Sequence, residues 1–406
     1  MAADPLSSSR ARTLRTVAGA FLRLGCISFG GPVAHLAHLR AELVVRRRWV
    51  DDAEYADLVA LCQFLPGPAS SQVVFALGMR RAGLAGALLA SVCFTLPAAA
   101  LMIALAFGVA RAGDLARAGW LHGLKLAAVA VVAQAVRDMA AKLCPDRARI
   151  ALCVAAAAAL LAWPHARTQL AVLAVGALAG WGLYRDGVAV PEAGEADPPR
   201  RAHLAAVLAL LTFATLLVAL PVLARVTRAR DLALVDSFYR AGSLVFGGGH
   251  VVLPLLRAEV VPRGWLSEDQ FLAGYGAAQA MPGPLFAFSA YLGASLRPTS
   301  ALRGCLGAVA IFLPAWLLVG GAMPFWQRIR RRRAAQAALA GANAAVVGVL
   351  LAALYTPVFT EAVRGPRDML VALLAFALLA GWRAPPWLVV AGCAAAGQVM
   401  GGATPR

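Results

Sequence analysis

Glycine and proline interrupt the apolar segments of this chain at four places, and polar side chains stand beside the interruptions. The first two breaks are Gly30-Gly31-Pro32 and Pro66-Gly67-Pro68, and the second is followed by Ser70 and Ser71. A helix that restarts after such a break presents unpaired backbone N–H groups and the positive end of its dipole, so it can bind an anion without a formal charge. Glycine lets the backbone approach a ligand closely, and proline suits the first helical position. These residues predict a site for a compact tetrahedral oxyanion.

The same series of residues occurs in both halves of the chain, with equal Phe-to-Arg and Trp-to-Pro spacings. Phe29, Arg40, Trp49, Gln63, Pro66 and Pro97 recur as Phe246, Arg257, Trp265, Gln279, Pro282 and Pro314. So many matches in one register indicate an internal duplication. The second copy departs at Gly249, which stands where the first has Pro32, and this argues against equal roles for the two halves.

The substrate-binding candidates are the four breaks and the polar residues next to them. They are Phe29, Gly30, Gly31, Pro32, His35, Arg40, Gln63, Pro66, Gly67, Pro68, Ser70 and Ser71 in the first copy, and Phe246, Gly247, Gly248, Gly249, His250, Arg257, Gln279, Pro282, Gly283 and Pro284 in the second. The alternative is that glycine and proline only kink packed helices. Because four related breaks are flanked by Ser, Gln and His, the binding site is the preferred interpretation.

Several ionisable and amide residues near the breaks have two interpretations. Arg40 and Arg257 could attract an anion, or could be interfacial charges near a helix end. Glutamine at either break could hold the anion or cap the broken arm. For proton coupling, the candidates are Glu42, Glu259, His35 and His250, since histidine titrates near neutral pH and a partly buried carboxylate can carry protons.

Composition predicts the class of protein. Hydrophobic residues make up 61% of the 406 residues and charged residues 14%, against about 25% charged in soluble proteins. The apolar runs are continuous and long enough to cross a bilayer core of about 30 Å, which favours helices over strands. The net charge of +18 comes from arginines between apolar segments, a pattern of membrane topology rather than of nucleic-acid binding. We therefore predict an all-α polytopic membrane protein with the lipid bilayer as a partner and no nucleic acid.

Basic clusters predict how the interrupted segments enter the membrane. If each segment crossed fully, Arg46–Arg48 would lie outside, against the positive-inside rule. An arm of about 12 residues rises about 18 Å, roughly half a bilayer. We therefore predict two re-entrant helical hairpins in each copy, with full spans as the alternative, followed by about four transmembrane helices. The predicted hairpins are 17–45, 55–79, 234–260 and 270–296.

The predicted domains are an N-terminal repeat half, 1–184, and a C-terminal repeat half, 231–406. Residues 185–230 join them as a polar linker with one transmembrane helix. A re-entrant hairpin returns to the side from which it entered, and four spans bring the chain back to the same side. The lone helix would therefore place the start of the second copy on the opposite face of the membrane. The sequence thus predicts two inverted-topology repeats, the usual architecture of secondary transporters with a site at the midplane.

Other chemistries find little support. The seven cysteines include no Cys-x-x-Cys pair, so neither a metal site nor a disulfide framework is expected. No phosphate-binding loop, catalytic triad or paired catalytic carboxylates are visible, so we expect no cofactor and no enzymatic activity. Lys125 lies near one end of a predicted span, and we expect its charge to snorkel to the interface. The oligomeric state stays open, with a homodimer as one candidate.

Phe29-Gly30-Gly31-Pro32, Trp49, Gln63 and Pro66-Gly67-Pro68, with their degenerate copies, resemble the chromate ion transporter family in its long bidomain form. The resemblance covers nearly the whole chain. It implies efflux of chromate across the bacterial cytoplasmic (inner) membrane, with sulfate as a structural analogue and the proton gradient as the drive. Composition and breaks alone support a secondary transporter of a small anion. An anion channel, or an importer or exchanger of another small oxyanion, is the alternative.

Overall fold

The computed structural model describes residues 5–29, 31–111, 119–164, 166–184, 200–245, 251–326 and 332–402. Within these ranges the regular structure is helical and contains no strand, so the all-α class is confirmed. The helices of the first half are α1 Pro5–Ile27, α2 Gly31–Leu39, α3 Asp52–Phe64, α4 Ala69–Arg111, α5 Gly119–Leu143, α6 Arg147–Ala162 and α7 Ala166–Tyr184. They are followed by α8 Arg200–Thr227, α9 Arg230–Ser243, α10 Val252–Val260, α11 Glu268–Ala278, α12 Phe288–Ser295, α13 Ala301–Ala322, α14 Arg333–Ala353, α15 Pro366–Ala380 and α16 Pro386–Gly402.

Helix α4 contains a reversal of the chain. Ala82 and Gly83 leave the helical conformation, Gly83 with a φ of 63°. A Cβ atom added to Gly78 would lie 2.5 Å from the carbonyl oxygen of Gly86, although residues eight apart in a straight helix are separated by about 12 Å. The parts 69–81 and 84–111 therefore lie side by side, as the return arm of a hairpin and a separate long helix.

The order of the helices repeats between the halves. The Pro-Gly-Pro break, the reversal and the long helices of α1 to α7 recur from α9 to α16, and α8 stands between the copies in the sequence. Within the described ranges, five helical segments are long and apolar enough to cross a membrane. They are Ala69–Arg111, Gly119–Leu143, His203–Thr227, Ala301–Phe325 and Arg333–Ala362. Several crossings in one chain make this a multi-pass membrane protein.

The chain divides into two compact units, and each takes segments from both copies. The first unit consists of Met1–Phe107, Ala209–Ser243 and Met281–Gly320. It contains the first two breaks and the last one. The second unit consists of Gly108–Leu208, Leu244–Ala280 and Gly321–Arg406.

In the second unit the helices of the two copies pack on each other reciprocally. Helix α5 packs against α15 and α16, while its counterpart α14 packs against α6 and α7. A Cβ atom on Gly397 would lie 2.5 Å from the nitrogen of Gly123, and one on Gly180 would lie 2.6 Å from the nitrogen of Gly341. Both crossings depend on glycine, which lets transmembrane helices approach closely. Reciprocal contacts of this kind are what a two-fold relation between the copies produces.

Lys125 does not snorkel, and that expectation was wrong. The residue is 3% exposed, and its Nζ donates a hydrogen bond of 2.7 Å to Oδ1 of Asp269 in the first turn of α11. Helix α11 packs on α5 so closely that a side chain on Gly276 would overlap the carbonyl oxygen of Leu124. The ammonium group therefore finds its counter-charge on α11 and has no need to reach the interface.

The first test of this packing compares two glycines of α7. We expect Gly180→Val to destabilise the protein, since its side chain would overlap the backbone of Ala337 and overpacking of a core costs about 1–3 kcal/mol. Gly182→Val is the matched control, because nothing lies within 4 Å of its Cβ position. Thermal unfolding of detergent-purified protein, followed by size-exclusion chromatography, measures the difference. Equal melting temperatures for the two variants would contradict the crossing described.

The second test concerns the ion pair of α5 and α11. Asp269→Ala leaves the ammonium of Lys125 buried and unpaired, whereas Lys125→Met leaves a carboxylate that is 63% exposed and can be hydrated. We expect Asp269→Ala to lower stability more, by at most the roughly 3–5 kcal/mol that breaking a buried pair costs. Asp138→Asn, on an exposed position of the same helix, is the control. A greater loss of melting temperature in Lys125→Met would count against this arrangement.

Candidate functional site

The first and the last break meet in the first unit. Helix α1 ends at Ile27 and α2 begins at Gly31, which has a φ of 81°. Between them, the carbonyl oxygen of Ser28 accepts a hydrogen bond of 2.8 Å from the backbone nitrogen of Gly283. Gly283 is the centre of the second Pro-Gly-Pro and has a φ of 95°. A backbone hydrogen bond therefore joins breaks that are far apart in the sequence.

His35 connects the first break to the second. Its Nε2 lies 3.1 Å from the carbonyl oxygen of Ser28, and its Nδ1 lies 3.3 Å from Oγ of Ser70. A carbonyl oxygen can only accept, so Nε2 carries the proton and Nδ1 of the neutral ring accepts from the Ser70 hydroxyl. The ring of Phe94 meets the imidazole edge-on at 5.7 Å. Through His35, the start of α2 and the start of α4 lie beside each other.

The side chain of Gln72 caps a backbone carbonyl group of the second break. Its Nε2 donates a hydrogen bond of 2.8 Å to the carbonyl oxygen of Pro66, and its backbone nitrogen bonds to Pro68 at 2.9 Å. Gly67 has a φ of 126°, and a Cβ atom there would lie 2.8 Å from the Gln72 amide. Gln63, the amide that the sequence suggested as a cap, is exposed on α3.

The two Pro-Gly-Pro breaks each lie against the other copy. A Cβ atom on Gly67 would lie 3.0 Å from Cβ of Ala315, and one on Gly283 would lie 3.1 Å from Cβ of Ala98. Ala98 and Ala315 follow Pro97 and Pro314, so they occupy the same position in the two copies. Each Pro-Gly-Pro thus contacts the equivalent helix of the other copy, as the helices of the two copies do in the second unit.

Several buried polar atoms near these breaks lack a hydrogen-bond partner among the described residues, and four of them belong to fully buried residues of the first copy. They are Oγ of Ser28, Oγ of Ser71, Oε1 of Gln72 and Oγ of Ser91. All four residues are at most 2% exposed. Buried polar groups are almost always hydrogen-bonded, and an unpaired one costs about 1–3 kcal/mol. A polar ligand or water would complete these groups. Of these four residues, only Ser71 is predicted from the sequence as a binding residue. The other three could have been found as polar residues that lie inside apolar runs.

The repeated arginines have partners at the ends of the hairpins. Arg40 donates through Nε to Oδ1 of Asp52 at 2.7 Å, and Arg257 donates through Nε to Oε1 of Glu268 at 2.8 Å. Each acid stands in the first turn of the next helix, α3 or α11. The two equivalent ion pairs join the end of one interrupted segment to the first turn of the next helix.

The repeated glutamates lie in similar clusters. Glu42 accepts from Arg47 at 2.6 Å and from Arg46 at 3.0 Å. Glu259 pairs with Arg263 at 2.9 Å. A guanidinium group at this distance favours the ionised carboxylate. Of the remaining candidates, Gln279 is half-buried with its Nε2 unpartnered, while Gly30, Phe246, Gly247, Gly248, Gly249 and His250 lie outside the described residues.

The duplication and the breaks agree with a comparison against protein families. The family model described as "Chromate transporter" matches residues 15–181 and again residues 232–398, which together make up most of the chain. This protein belongs to the chromate transporter family. The two matches coincide with the two copies and leave α8 between them.

Relatives within the family align over most of the chain. A "Chromate transport protein" of Pseudomonas aeruginosa is 30% identical over 81% of this chain and 77% of its own length. One of Cupriavidus metallidurans is 28% identical over 98% and 96%. A "Probable chromate transport protein" of Synechococcus elongatus is 26% identical over 96% of both chains. No solved structure matches this chromate transporter family member.

The geometry of the breaks predicts different costs for two glycines. Gly31 has a left-handed φ, but nothing lies within 4 Å of its Cβ position, so Gly31→Ala should cost only the roughly 1–2 kcal/mol of left-handed backbone. Gly67→Ala adds a clash with the Gln72 amide that caps the break. We expect the larger drop in melting temperature for Gly67→Ala, measured on the purified full-length protein. Equal or reversed drops would show that the second break is not closed as described.

Proposed function

We propose that this protein is a secondary transporter that exports chromate across the bacterial cytoplasmic (inner) membrane. One observation supports the proposal above all: a hydrogen bond joins a break of each copy at Ser28, whose buried hydroxyl has no partner among the described residues, in a chain of the chromate transporter family. Related proteins whose names state chromate transport align over nearly the full length.

In our proposal the oxyanion binds between the starts of α2 and α4. Both helices direct unpaired N–H groups and the positive end of a dipole towards the breaks. The hydroxyl groups of Ser28 and Ser71 supply further donors that no other described residue uses. Within the described residues, His35 is the one ionisable side chain among the contacts that join the breaks, so the anion is held chiefly by neutral donors. Sulfate has the same tetrahedral shape and charge as chromate, and we propose it as a competing substrate.

We further propose that the two copies have inverted topology and that the site alternates between the two membrane faces. The exchanged contacts of Gly67 with Ala315 and of Gly283 with Ala98 support a two-fold relation. Because α8 crosses the membrane once between two copies with the same order of helices, the two-fold axis that relates them would lie in the membrane plane.

The proton gradient is the proposed source of energy. The membrane potential itself favours export, since moving a dianion across 100 mV is worth about 4.6 kcal/mol. Proton linkage is proposed at His35. Protonation there would place a hydrogen on Nδ1 and force the Ser70 hydroxyl to turn away, which changes the donors at the start of α4. His38 lies one turn further along α2 and would oppose that charge if it too were protonated. Glu42, which pairs with Arg46 and Arg47, and Glu259, which pairs with Arg263, are weaker candidates.

Uptake of labelled chromate into inverted vesicles tests the function. We expect protein-dependent accumulation that an interior-acid pH gradient stimulates and that excess sulfate reduces. His35→Gln should keep the protein in the membrane but lose the stimulation by the gradient. Asp138→Asn, distant in sequence from every break, should behave as the unmodified protein does.

Two results would contradict the proposal. Vesicles with and without the protein could take up chromate equally, which would remove chromate as a substrate. Alternatively, flux could follow only the anion gradient and the potential, with no response to pH, which would indicate an anion channel.

A further inference from the structure

We infer that each chain holds one oxyanion site, built by the polar residues of the first copy, while the second copy fills the equivalent position with apolar and aromatic side chains. The inference rests on the proposed function, because it assumes an oxyanion substrate. It adds the number of sites and the residues that determine specificity.

The register of the duplication shows the exchange position by position. Phe29, Pro66 and Pro97 fix the alignment with Phe246, Pro282 and Pro314. In the first copy the polar residues around the breaks are Ser28, His35, Ser70, Ser71, Gln72, Ser91 and Thr95. Their equivalents are Val245, Val252, Phe286, Ala287, Phe288, Ala308 and Phe312. Every one of these polar residues has an apolar counterpart.

Burial makes this exchange significant. All seven polar residues of the first copy are buried, so each is a polar group placed where hydrocarbon would cost less. An uncompensated polar group in an apolar interior is unfavourable. Buried hydroxyls of the first copy lack a partner among the described residues, and the second copy has no hydroxyl at the equivalent positions. A ligand that only the first copy binds best explains this difference.

Aromatic rings pack where the second copy would have its site. Phe286 lies 6.0 Å from Phe312, and Phe312 stacks on Trp316 at 6.3 Å. Trp316 stacks in turn on Phe75 of the first copy at 6.4 Å. The one polar atom of these four rings, Nε1 of Trp316, has no hydrogen-bond partner among the described residues. The rings leave no hydroxyl to hold an anion.

Two positions show the opposite exchange. Ser289 replaces Val73, and its hydroxyl already donates to the carbonyl oxygen of Phe286 at 2.8 Å. His250 replaces Val33 and lies outside the described residues. The first of these therefore does not restore a donor to the second copy.

The last break supports the first instead of binding a ligand of its own. The N–H group of Gly283, at the centre of that break, is already bonded to the carbonyl oxygen of Ser28. This bond and the one from His35 fix the backbone of Ser28 and leave its Oγ without a partner. The second copy thus positions a residue of the site without contributing a free donor at this point.

The test is equilibrium binding of labelled chromate, sulfate and phosphate to the full-length protein in lipid nanodiscs. We expect one anion per chain. Ser71→Ala and Ser28→Ala should each raise the dissociation constant about tenfold to hundredfold, since each removes a hydrogen bond to a charged ligand. The matched control is Ala287→Ser, which places a hydroxyl at the equivalent position of the second copy and should change neither affinity nor stoichiometry. Melting temperatures confirm that each variant is folded, and Ser28→Ala keeps the test valid if Ser71→Ala does not fold.

The outcomes separate this inference from the proposed function. Two anions per chain, or wild-type affinity in both serine variants while chromate is still transported, would overturn the inference and leave the function intact. Binding of one sulfate or phosphate per chain, lost in Ser71→Ala, with no chromate bound, would support the inference and overturn chromate as the substrate. Binding of none of the three anions would overturn both.

Discussion

The structure depends on satisfying backbone groups where helices are interrupted inside a membrane protein. In hydrocarbon no water is available, so every free N–H and C=O must find a partner in the chain or in a bound ligand. The carbonyl oxygen of Ser28 shows how this is achieved: it accepts from the imidazole of His35 and from the backbone of Gly283. Both lone pairs are used, and three segments are held at one atom. The amide of Gln72 does the same for Pro66 at the second break.

Duplication of the helices and chemical asymmetry of the side chains coexist in this fold. The order of the helices, the left-handed glycine at the centre of each Pro-Gly-Pro and the close glycine crossings recur in both copies. The side chains do not recur. Hydroxyl and amide groups lie around the first two breaks, and valine, alanine and phenylalanine occupy the matching positions in the second copy. The two copies therefore share the arrangement of helices, while the side chains around their breaks have diverged.

Much of the fold could be predicted from the sequence. Continuous apolar runs and paired Gly-Pro interruptions predict most of the long helices, and the single helix predicted within 185–230 is observed as α8, Arg200–Thr227. The contents of the site were harder to predict. Helices that are apolar on most sides give no signal of their rotation, so neither the inward position of Ser91 nor the capping role of Gln72 could be predicted. The partner of Lys125 was missed because Asp269 is distant in sequence, and only tertiary packing brings the two together.

The bond between Gly283 and Ser28 also limits how such a chain could be divided. A polypeptide that ended in the linker after α7 would contain both of its own breaks, yet the carbonyl oxygen of Ser28 would lose one of its two donors. The helix face around Ala98 would lose the turn that covers it. Two separately synthesised halves would therefore have to fold as an obligate heterodimer, each completing the interior of the other, and neither would be a working protein when made alone.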